Sequence, residues 1–490
     1  MEMESGRRGD DRKAGDGWWW VKGVPKKLKE KMVEVARNTK EVGQDDPRRI
    51  IHSLKVGLAL TFVSLIYYFH PLYQNFGVSA MWAVLTVVVV FEFSVGATLG
   101  KGFNRGVATL LAGALGVGAH HLASLSGNIA HPILLGLFVF LQATAATFVR
   151  FIPEVKAKYD YGLLVFILTF CMVSVSGLRN DEILDLAYKR LSTVFMGASA
   201  CVIVSILVCP VWAGEDLHNL VALNIERLGN FLEGFGDEYL RTSEDEELKD
   251  DKSFLQAYRN VLNSKCSEET LANFARWEPG HGRFMYHHPW KQYLIIGTLT
   301  RQCAYRIELL SGYLNVPESQ AVAPPEIREK IQDTCTKLSL ESGKALKELA
   351  LAVKTMTHPS SADPHVTNSR NSAQNLELLL KSGLWEDTDL LKVIPVATVA
   401  SLLIDVVICV EKIAESIHEL ASLAHFKTID MTVSPENPMS DQLRTAKSHT
   451  DTDSHHHVIT VDNSDSAFKE NGNPQFPVSS RCGYPGTNQL

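Results

Sequence analysis

Features of catalytic, secreted or nucleic-acid-binding proteins are scarce in this sequence. The eight cysteines form no CxxC pair and no Cys/His spacing typical of a zinc site. A formal net charge of -7 argues against nucleic acid as the main partner. Glycine and proline, at 33 and 19 residues, are near background frequency, which excludes a collagen-like or wholly disordered chain. The first 40 residues hold no apolar core of signal-peptide length, so we expect a first membrane span to act as its own insertion signal.

Long apolar runs are present, and they are concentrated between residues 50 and 212. A helix needs roughly 20 mostly apolar residues to cross a bilayer. Windows approaching that length occur at residues 51–69, 78–99, 106–122, 133–149, 161–178 and 191–212. The connections between them are too short to carry a domain. The pattern predicts an all-α, polytopic membrane protein with six transmembrane helices followed by a cytosolic helical domain.

The basic residues in the short connections predict the orientation of the chain. Lys and Arg are found before the first window and in the second and fourth connections, whereas residues 70–77 and 123–132 contain none. The fifth connection, 179–190, breaks the pattern, since it should be external and yet carries Arg179, Lys189 and Arg190. Basic connections tend to stay cytosolic, so both termini are predicted to be cytosolic. We expect a cytosolic basic arm (1–46), a pore domain (47–213), a cytosolic helical domain (214–427) and a disordered polar tail (428–490). Tryptophan and lysine in the arm favour a segment lying on the lipid surface, and a solvated basic arm is the alternative.

Ionisable residues inside the predicted spans are candidate site residues, because a charge in a bilayer is costly unless it faces water or a partner. Lys55, Arg105 and Arg190 are cations within or at the edge of these windows, Lys101 lies in the connection before Arg105, and Glu92 is an anion. The excess of positive charge favours an anion pathway in which Glu92 neutralises one cation at rest. The alternative for the two arginines is snorkelling to the interface.

Two other groups of residues could hold a metal, and neither assignment is firm. Asp181, Glu182 and Asp185 are spaced so that two of them can share a helix face and offer oxygen ligands to a multivalent cation at an external mouth. Solvated loop acids are the alternative. His120 and His121 could bind a metal or relay a proton, but adjacent residues face different ways and no third ligand is near them in the sequence.

The polar half of the chain shows the periodicity of amphipathic helices and no comparable strand pattern. Apolar residues recur at steps of three and four from Leu217 to Phe235, and further helices are predicted at 289–313, 325–351, 372–384 and 395–426. Residues 276–289, which include Trp277, Glu278 and Pro279, are interpreted as an ordered loop docking under the membrane domain. Residues 360–370 are interpreted as a flexible connection.

Several segments together resemble the plant aluminium-activated malate transporter family. They are DDPRRIIHSLKVG (45–57), WAVLTVVVVFEFSVGATLGKGFNRG (82–106), AATFVRFIP (145–153), KYDYG (158–162), CPVWAGEDLH (209–218) and RWEPGHGRF (276–284). The resemblance extends from about residue 45 to residue 426 in one register. The two ends of the chain fall outside it.

The resemblance implies a homodimeric anion channel that passes malate, other dicarboxylates and inorganic anions such as chloride or nitrate. Family pore arginines correspond here to Arg105 and Arg190. External aluminium, which opens some members, would bind at Asp181 and Asp185, and the family's Trp-Glu-Pro motif corresponds to Trp277, Glu278 and Pro279.

The predicted function is therefore malate efflux without an enzymatic step and without a cofactor, gated by aluminium, voltage or cytosolic malate. A proton-coupled organic-anion exporter with Glu92 as the proton carrier is the alternative. An enzyme is not expected, because the sequence shows no partnered nucleophile or metal set. The plasma membrane is preferred to the vacuolar membrane as the location.

Overall fold

The computed structural model describes residues 26–65, 81–127, 129–176, 183–240, 256–314, 325–382 and 390–428. Within these ranges the chain is built of α-helices and one short 3₁₀ helix, with no strand. The all-α prediction is confirmed for these residues. The first part of the basic arm and almost all of the polar tail lie outside them.

Fourteen α-helices are found among the described residues. In chain order they are α1 (Lys26–Asp45), α2 (Pro47–Leu65), α3 (Met81–Val90), α4 (Val95–Ser124), α5 (Ala130–Val149), α6 (Pro153–Ser176), α7 (Ile183–Leu207), α8 (Ala213–Leu240), α9 (Tyr258–Leu262), α10 (Lys265–Ala275), α11 (Trp290–Leu314), α12 (Pro325–Thr355), α13 (Asp363–Lys381) and α14 (Leu390–Leu423). The 3₁₀ helix, Pro359–Ser361, lies between α12 and α13.

The chain divides into two compact units. The first contains residues 1–91 and 188–209, and the second contains residues 92–187 and 210–490. In the first unit, small and β-branched residues of α2, α3 and α7 form an apolar core. Gly197 of α7 allows this packing, since a Cβ there would lie only 2.6 Å from the carbonyl oxygen of Ala83.

The second unit contains two kinds of helix packing. Helix α4 lies along α6, and a Cβ on Gly116 would lie 2.9 Å from Val173 Cγ1, so small residues set this close approach. Helices α8 to α14 enclose a large apolar core. Residues of the predicted amphipathic stretch, such as Leu217, Ile225 and Phe235, are buried in that core, which confirms the periodicity argument.

Five described helices are long and apolar enough to cross a membrane. They are Val95–Ser124, Ala130–Val149, Lys158–Ser176, Leu184–Leu207 and Ile394–Leu423. The first four coincide with four of the six windows identified in the sequence. Six spans therefore stay a prediction, while a multi-pass arrangement of apolar helices is found.

The fifth of these helices, within α14, was predicted as a helix of the cytosolic domain. Its buried residues, including Leu403, Val410 and Ile417, belong to the same core as α8, α11 and α12. A helix buried in a large core and a membrane span have similar compositions. Burial in this core therefore explains the apolar length of α14 as well as a membrane span would. It begins at Leu390 rather than at residue 395, the predicted start, and Pro395 lies inside the helix.

The second predicted window, 78–99, is not one helix. Helix α3 ends at Val90 and α4 begins at Val95, so Glu92 lies in the break between them rather than deep in a span. The reason is local, because the Ser94 side chain accepts a hydrogen bond from the Ala97 N–H and starts a new helix. Lys101 and Arg105 consequently lie inside α4, not in a connection before it.

The interpretation of residues 360–370 as a flexible connection is wrong. The segment forms the end of the 3₁₀ helix and the first part of α13. Ser369 is fully buried, and its hydroxyl donates to the carbonyl of Val366 at 2.9 Å. The polar composition suggested a loop, but the segment is helical because α13 packs on α12 and α14.

Candidate functional site

Helix α4 carries a row of polar side chains on one face. Lys101, Arg105 and Thr109 are spaced four residues apart, which places them on the same side of a helix. Arg105 and Thr109 are both buried, with Arg105 3% exposed. The row follows directly from the sequence spacing, although Thr109 was not identified from the sequence because a lone threonine carries no distinguishing pattern.

The Arg105 guanidinium is only partly engaged by the protein. Its Nη1 donates to the phenolic oxygen of Tyr161 on α6 at 2.7 Å. Its Nε and the Thr109 hydroxyl are buried and have no hydrogen-bond partner among the described residues. A buried donor without an acceptor is costly, so these atoms have unused capacity to bind an anionic oxygen.

Glu92 forms an ion pair with Lys101, and each side chain is about one third exposed. The Lys101 ammonium also lies 5.8 Å from the centre of the Tyr161 ring. Glu92 therefore contacts a cation, and that cation is Lys101. Its neutralising role in an anion pathway stays a prediction. In the sequence Tyr161 is only one residue of the KYDYG segment, yet it contacts both basic residues of this row.

In the first unit, Lys55 and Arg190 are buried, with side chains 2% and 5% exposed. The guanidinium carbon of Arg190 lies 3.4 Å from the centre of the Trp82 ring on α3. An arginine stacked on an aromatic face keeps its edge donors directed outward in the ring plane. Trp82 was not predicted from the sequence, since the stacking partner is about a hundred residues away in the chain.

The predicted external cation site is only partly described. Asp181 and Glu182 lie outside the described residues, and Asp185 lies half-buried in the first turn of α7. Among the described residues no group of three or more His, Cys, Asp or Glu side chains could hold a metal ion. His120 stands edge-on to His131, with ring centres 4.7 Å apart, and His121 is exposed.

Glu278 of the Trp-Glu-Pro motif joins the starts of two helices. Its carboxylate accepts hydrogen bonds from the backbone N–H groups of Ala213 and Gly214 at 2.6 and 3.0 Å, in the first turn of α8. Gly96, in the first turn of α4, packs against the same side chain, since a Cβ there would lie 2.9 Å from Glu278 Cγ. Helix N-termini carry unpaired N–H groups and favour negative charge, which explains an acidic residue here.

The protonation of Glu278 is governed by two opposing effects. Burial raises the pKa of this carboxyl, whereas the N–H groups of Gly214, Ala213 and Gly96 and the nearby His281 lower it. Burial dominates, so the pKa is above its ordinary value. The motif therefore acts as a buried cap, a role that its spacing in the sequence did not reveal.

The same loop packs directly on α4. The Trp277 ring lies 3.0 Å from the position a Cβ would take at Gly100, and it is tilted against Phe103 with ring centres 5.2 Å apart. At Gly96 a Cβ would collide with the backbone carbonyl of Phe274. Within the second unit, the predicted ordered loop is therefore docked on the helix that carries Arg105. Pro279 provides the carbonyl that contacts the His281 ring at 2.9 Å.

A second buried group lies next to this loop. The phenolic oxygen of Tyr293 is shared by His218 Nδ1 at 2.9 Å and His288 Nε2 at 3.2 Å. Burial lowers the pKa of both imidazoles to about 4, so both are neutral near pH 7. The three rings pack together with Phe284 and Trp290. This arrangement holds the end of the loop against α8 and α11.

Apolar helices of membrane-spanning length, with basic side chains buried on them, define a multi-pass membrane protein of the transport class. The family model described as aluminium activated malate transporter matches residues 40–385 and 382–421. The chain therefore belongs to the aluminium-activated malate transporter family. The resemblance seen in the sequence motifs is confirmed, and so is the prediction of a transporter rather than an enzyme.

Similar proteins are known from plants. Aluminum-activated malate transporter 2 from Arabidopsis thaliana is 55% identical over 435 residues, covering 88% of this chain and 86% of that protein. Aluminum-activated malate transporter 7 from the same species is 50% identical over 455 residues, covering 86% and 89%. Aluminum-activated malate transporter 1 from Triticum aestivum is 47% identical over 408 residues, covering 81% and 87%.

Proposed function

We propose that the chain forms an anion channel that passes malate and other anions out of the cytosol. The observation that carries this proposal is the buried Arg105 guanidinium, whose Nε lacks an acceptor among the described residues. Thr109, four residues further along α4, has a buried hydroxyl that also lacks a partner among those residues. The names of the relatives, which describe malate transporters, support malate as the substrate.

The physical mechanism is replacement of hydration. A malate dianion entering a narrow pathway loses water, and guanidinium and hydroxyl donors replace it with charge-assisted hydrogen bonds. Tyr161 holds Arg105 by one nitrogen, which orients the remaining donors. A membrane potential of 100 mV is worth about 2.3 kcal/mol per charge, so it drives a dianion outward without any coupled reaction.

Charge balance supports a pathway selective for anions. Four of the candidate pathway residues are basic, namely Lys55, Lys101, Arg105 and Arg190. The one acidic residue, Glu92, forms an ion pair with Lys101. A carboxylate held by an ammonium is poorly suited to carry a proton through each transport cycle, because it must first break the ion pair. The contact therefore favours a channel over the proton-coupled exporter.

The remaining features of the proposal extend beyond this site. We place residues 47–213 in the membrane and residues 214–427 in the cytosol, with both termini cytosolic and two protomers in the channel. The plasma membrane is the proposed location. Asp181, Glu182 and Asp185 form the proposed external aluminium site, and the relatives' names support activation by aluminium.

The proposal predicts that Arg105→Ala and Arg190→Ala each reduce malate current at least tenfold. The physical reason is that losing a hydrogen bond to a charged group costs about 1.5–3 kcal/mol, and 1.4 kcal/mol corresponds to about tenfold. Voltage clamp of cells expressing each variant measures the current, and surface labelling measures the amount of protein at the membrane.

Matched variants make this experiment specific. Arg259→Ala removes an exposed arginine of α9 and leaves the current unchanged. Arg105→Lys keeps the charge but loses the planar arrangement of donors, so its current is intermediate. Normal currents from both Arg105→Ala and Arg190→Ala, at normal surface amounts, would remove these residues from the pathway.

A further inference from the structure

Two histidine rings meet where helices α4 and α5 are joined. His120 lies one turn before the end of α4, and His131 lies in the first turn of α5. Their ring centres are 4.7 Å apart, and the two ring planes are nearly perpendicular, at 84°. The short connection between the helices therefore brings the two imidazoles into direct contact.

Each of these rings has a nitrogen that the protein does not use. His120 Nδ1 and His131 Nε2 are both buried atoms, and neither has a hydrogen-bond partner among the described residues. A buried polar atom without a partner is costly. Imidazole nitrogens are also the commonest protein ligands of metal ions. The pair therefore offers two nitrogen ligands, one from each helix.

The spacing of the two rings suits a shared metal ion. A zinc–nitrogen bond is about 2.0–2.1 Å long, so the centres of two imidazole rings on one tetrahedral ion lie about 5 Å apart. The observed 4.7 Å is close to that value. The χ2 torsion of histidine is broad, so either ring can turn towards a common ion without moving its helix. Both side chains are only half-buried, so water can reach the remaining coordination positions.

We propose that His120 and His131 form a binding site for a divalent transition-metal ion such as zinc. The ion takes one nitrogen from each ring and water at its other positions, and it joins the end of α4 to the start of α5. Imidazole suits zinc, copper and nickel, whereas hard cations prefer oxygen, so the site differs chemically from the proposed aluminium site. Adjacent residues of a helix point about 100° apart, so the exposed His121 does not share the ion.

The test is the amount of zinc bound by the purified full-length protein in detergent. Wild-type protein and variants are equilibrated with zinc chloride at a concentration that saturates the wild type, with excess magnesium to occupy oxygen ligands. Zinc per chain is then measured by elemental mass spectrometry. We expect His120→Ala and His131→Ala each to bind one zinc ion fewer than the wild type. Other histidines, such as those at residues 455–457, contribute equally to every sample and cancel in the difference.

His121→Ala is the matched control, because it removes an adjacent, exposed imidazole and should bind as much zinc as the wild type. The double variant His120→Ala, His131→Ala loses one ion and not two, because the two rings share it. The two single variants change different helices, so a folding defect in one leaves the other informative.

Thermal unfolding provides a second measurement on the same samples. Zinc that binds the folded state raises the melting temperature, so the increase should be larger for wild type and His121→Ala than for His120→Ala or His131→Ala. Equal zinc binding by the wild type and both single variants would overturn the proposal. A loss of two ions in the double variant would also overturn it, since each ring would then bind its own ion.

Discussion

Arg105 differs from an arginine that merely reaches the membrane surface. A snorkelling side chain extends its charged end into water, whereas this guanidinium is buried and held by Tyr161. Of the two interpretations left open by the sequence, the structure favours a buried site. The sequence identified Arg105 and Glu92 by their charge, but it could not identify Tyr161 or Thr109, which are uncharged and acquire a role only through packing.

The ion pair between Glu92 and Lys101 leads to a prediction about anion affinity. Glu92→Gln removes the carboxylate and leaves the Lys101 ammonium to attract anions. Because partly exposed ion pairs are worth about 0.5–1 kcal/mol, we expect the half-saturating malate concentration to fall about two- to fivefold. Current measured against malate concentration checks this value.

The reverse change serves as the control for that experiment. Lys101→Gln removes the cation and leaves Glu92, so the half-saturating concentration rises instead of falling. If neither variant changes the concentration dependence, the pair lies outside the pathway and the neutralising role assigned to Glu92 is wrong.

At the scale of elements, the start of α4 organises the second unit. The N–H of Val95 donates to the carbonyl of Val211 at 2.9 Å. Gly96 packs against Glu278, whose carboxylate accepts from the N–H groups of Ala213 and Gly214, so the starts of α4 and α8 meet the same loop. The sequence predicted the apolar run but not its break, because a serine between apolar residues signals a helix start only weakly. The contacts at the starts of α4 and α8 are made by backbone N–H groups, whose positions cannot be inferred from a pattern of side chains.

Gly96 provides the sharpest test of this junction. A Cβ at this position would collide with the backbone carbonyl of Phe274, which cannot move like a flexible side chain. We expect Gly96→Ala to destabilise the protein by about 1–3 kcal/mol and to lower its melting temperature in detergent. Gly106→Ala, in the same helix, is the control, since a Cβ there has open space within 4 Å. Equal melting temperatures for the two variants would contradict the proposed close approach.

The pair of histidines that share Tyr293 makes stability depend on pH. His218 and His288 have folded-state pKa values lowered to about 4 by burial, below the ordinary 6.5. Between these two pH values the unfolded state binds more protons than the folded state. The free energy of unfolding is therefore highest above pH 6.5 and decreases as the pH falls towards 4. At pH 5 the free energy of unfolding is lower by up to about 2 kcal/mol for each histidine.

Thermal unfolding of the full-length protein at pH 7 and pH 5 measures this effect. We expect a lower melting temperature at pH 5, and a smaller decrease in the double variant His218→Gln, His288→Gln, which has no imidazole to protonate at this site. The assignment is wrong if the double variant loses as much stability between the two pH values as the wild-type protein does.

At the scale of the whole molecule, apolar length predicted most of the helices but not which of them cross the membrane. Helix α14 is as apolar as the candidate spans, yet its buried residues belong to the core shared by α8, α11 and α12. The prediction of a flexible connection at residues 360–370 was wrong because it relied on polar composition. Tertiary packing places these polar residues in a helix. Motif resemblance identified the family where periodicity alone could not.

The most direct test of the central claim is the reversal potential of the malate current. Under voltage clamp, external malate is changed tenfold at constant pH, and then external pH is changed from 7.5 to 6.5 at constant malate. A channel for the dianion predicts a shift of about 30 mV for the first change and no comparable shift for the second. A reversal potential that follows the proton gradient as well would contradict the channel and indicate a proton-coupled exporter.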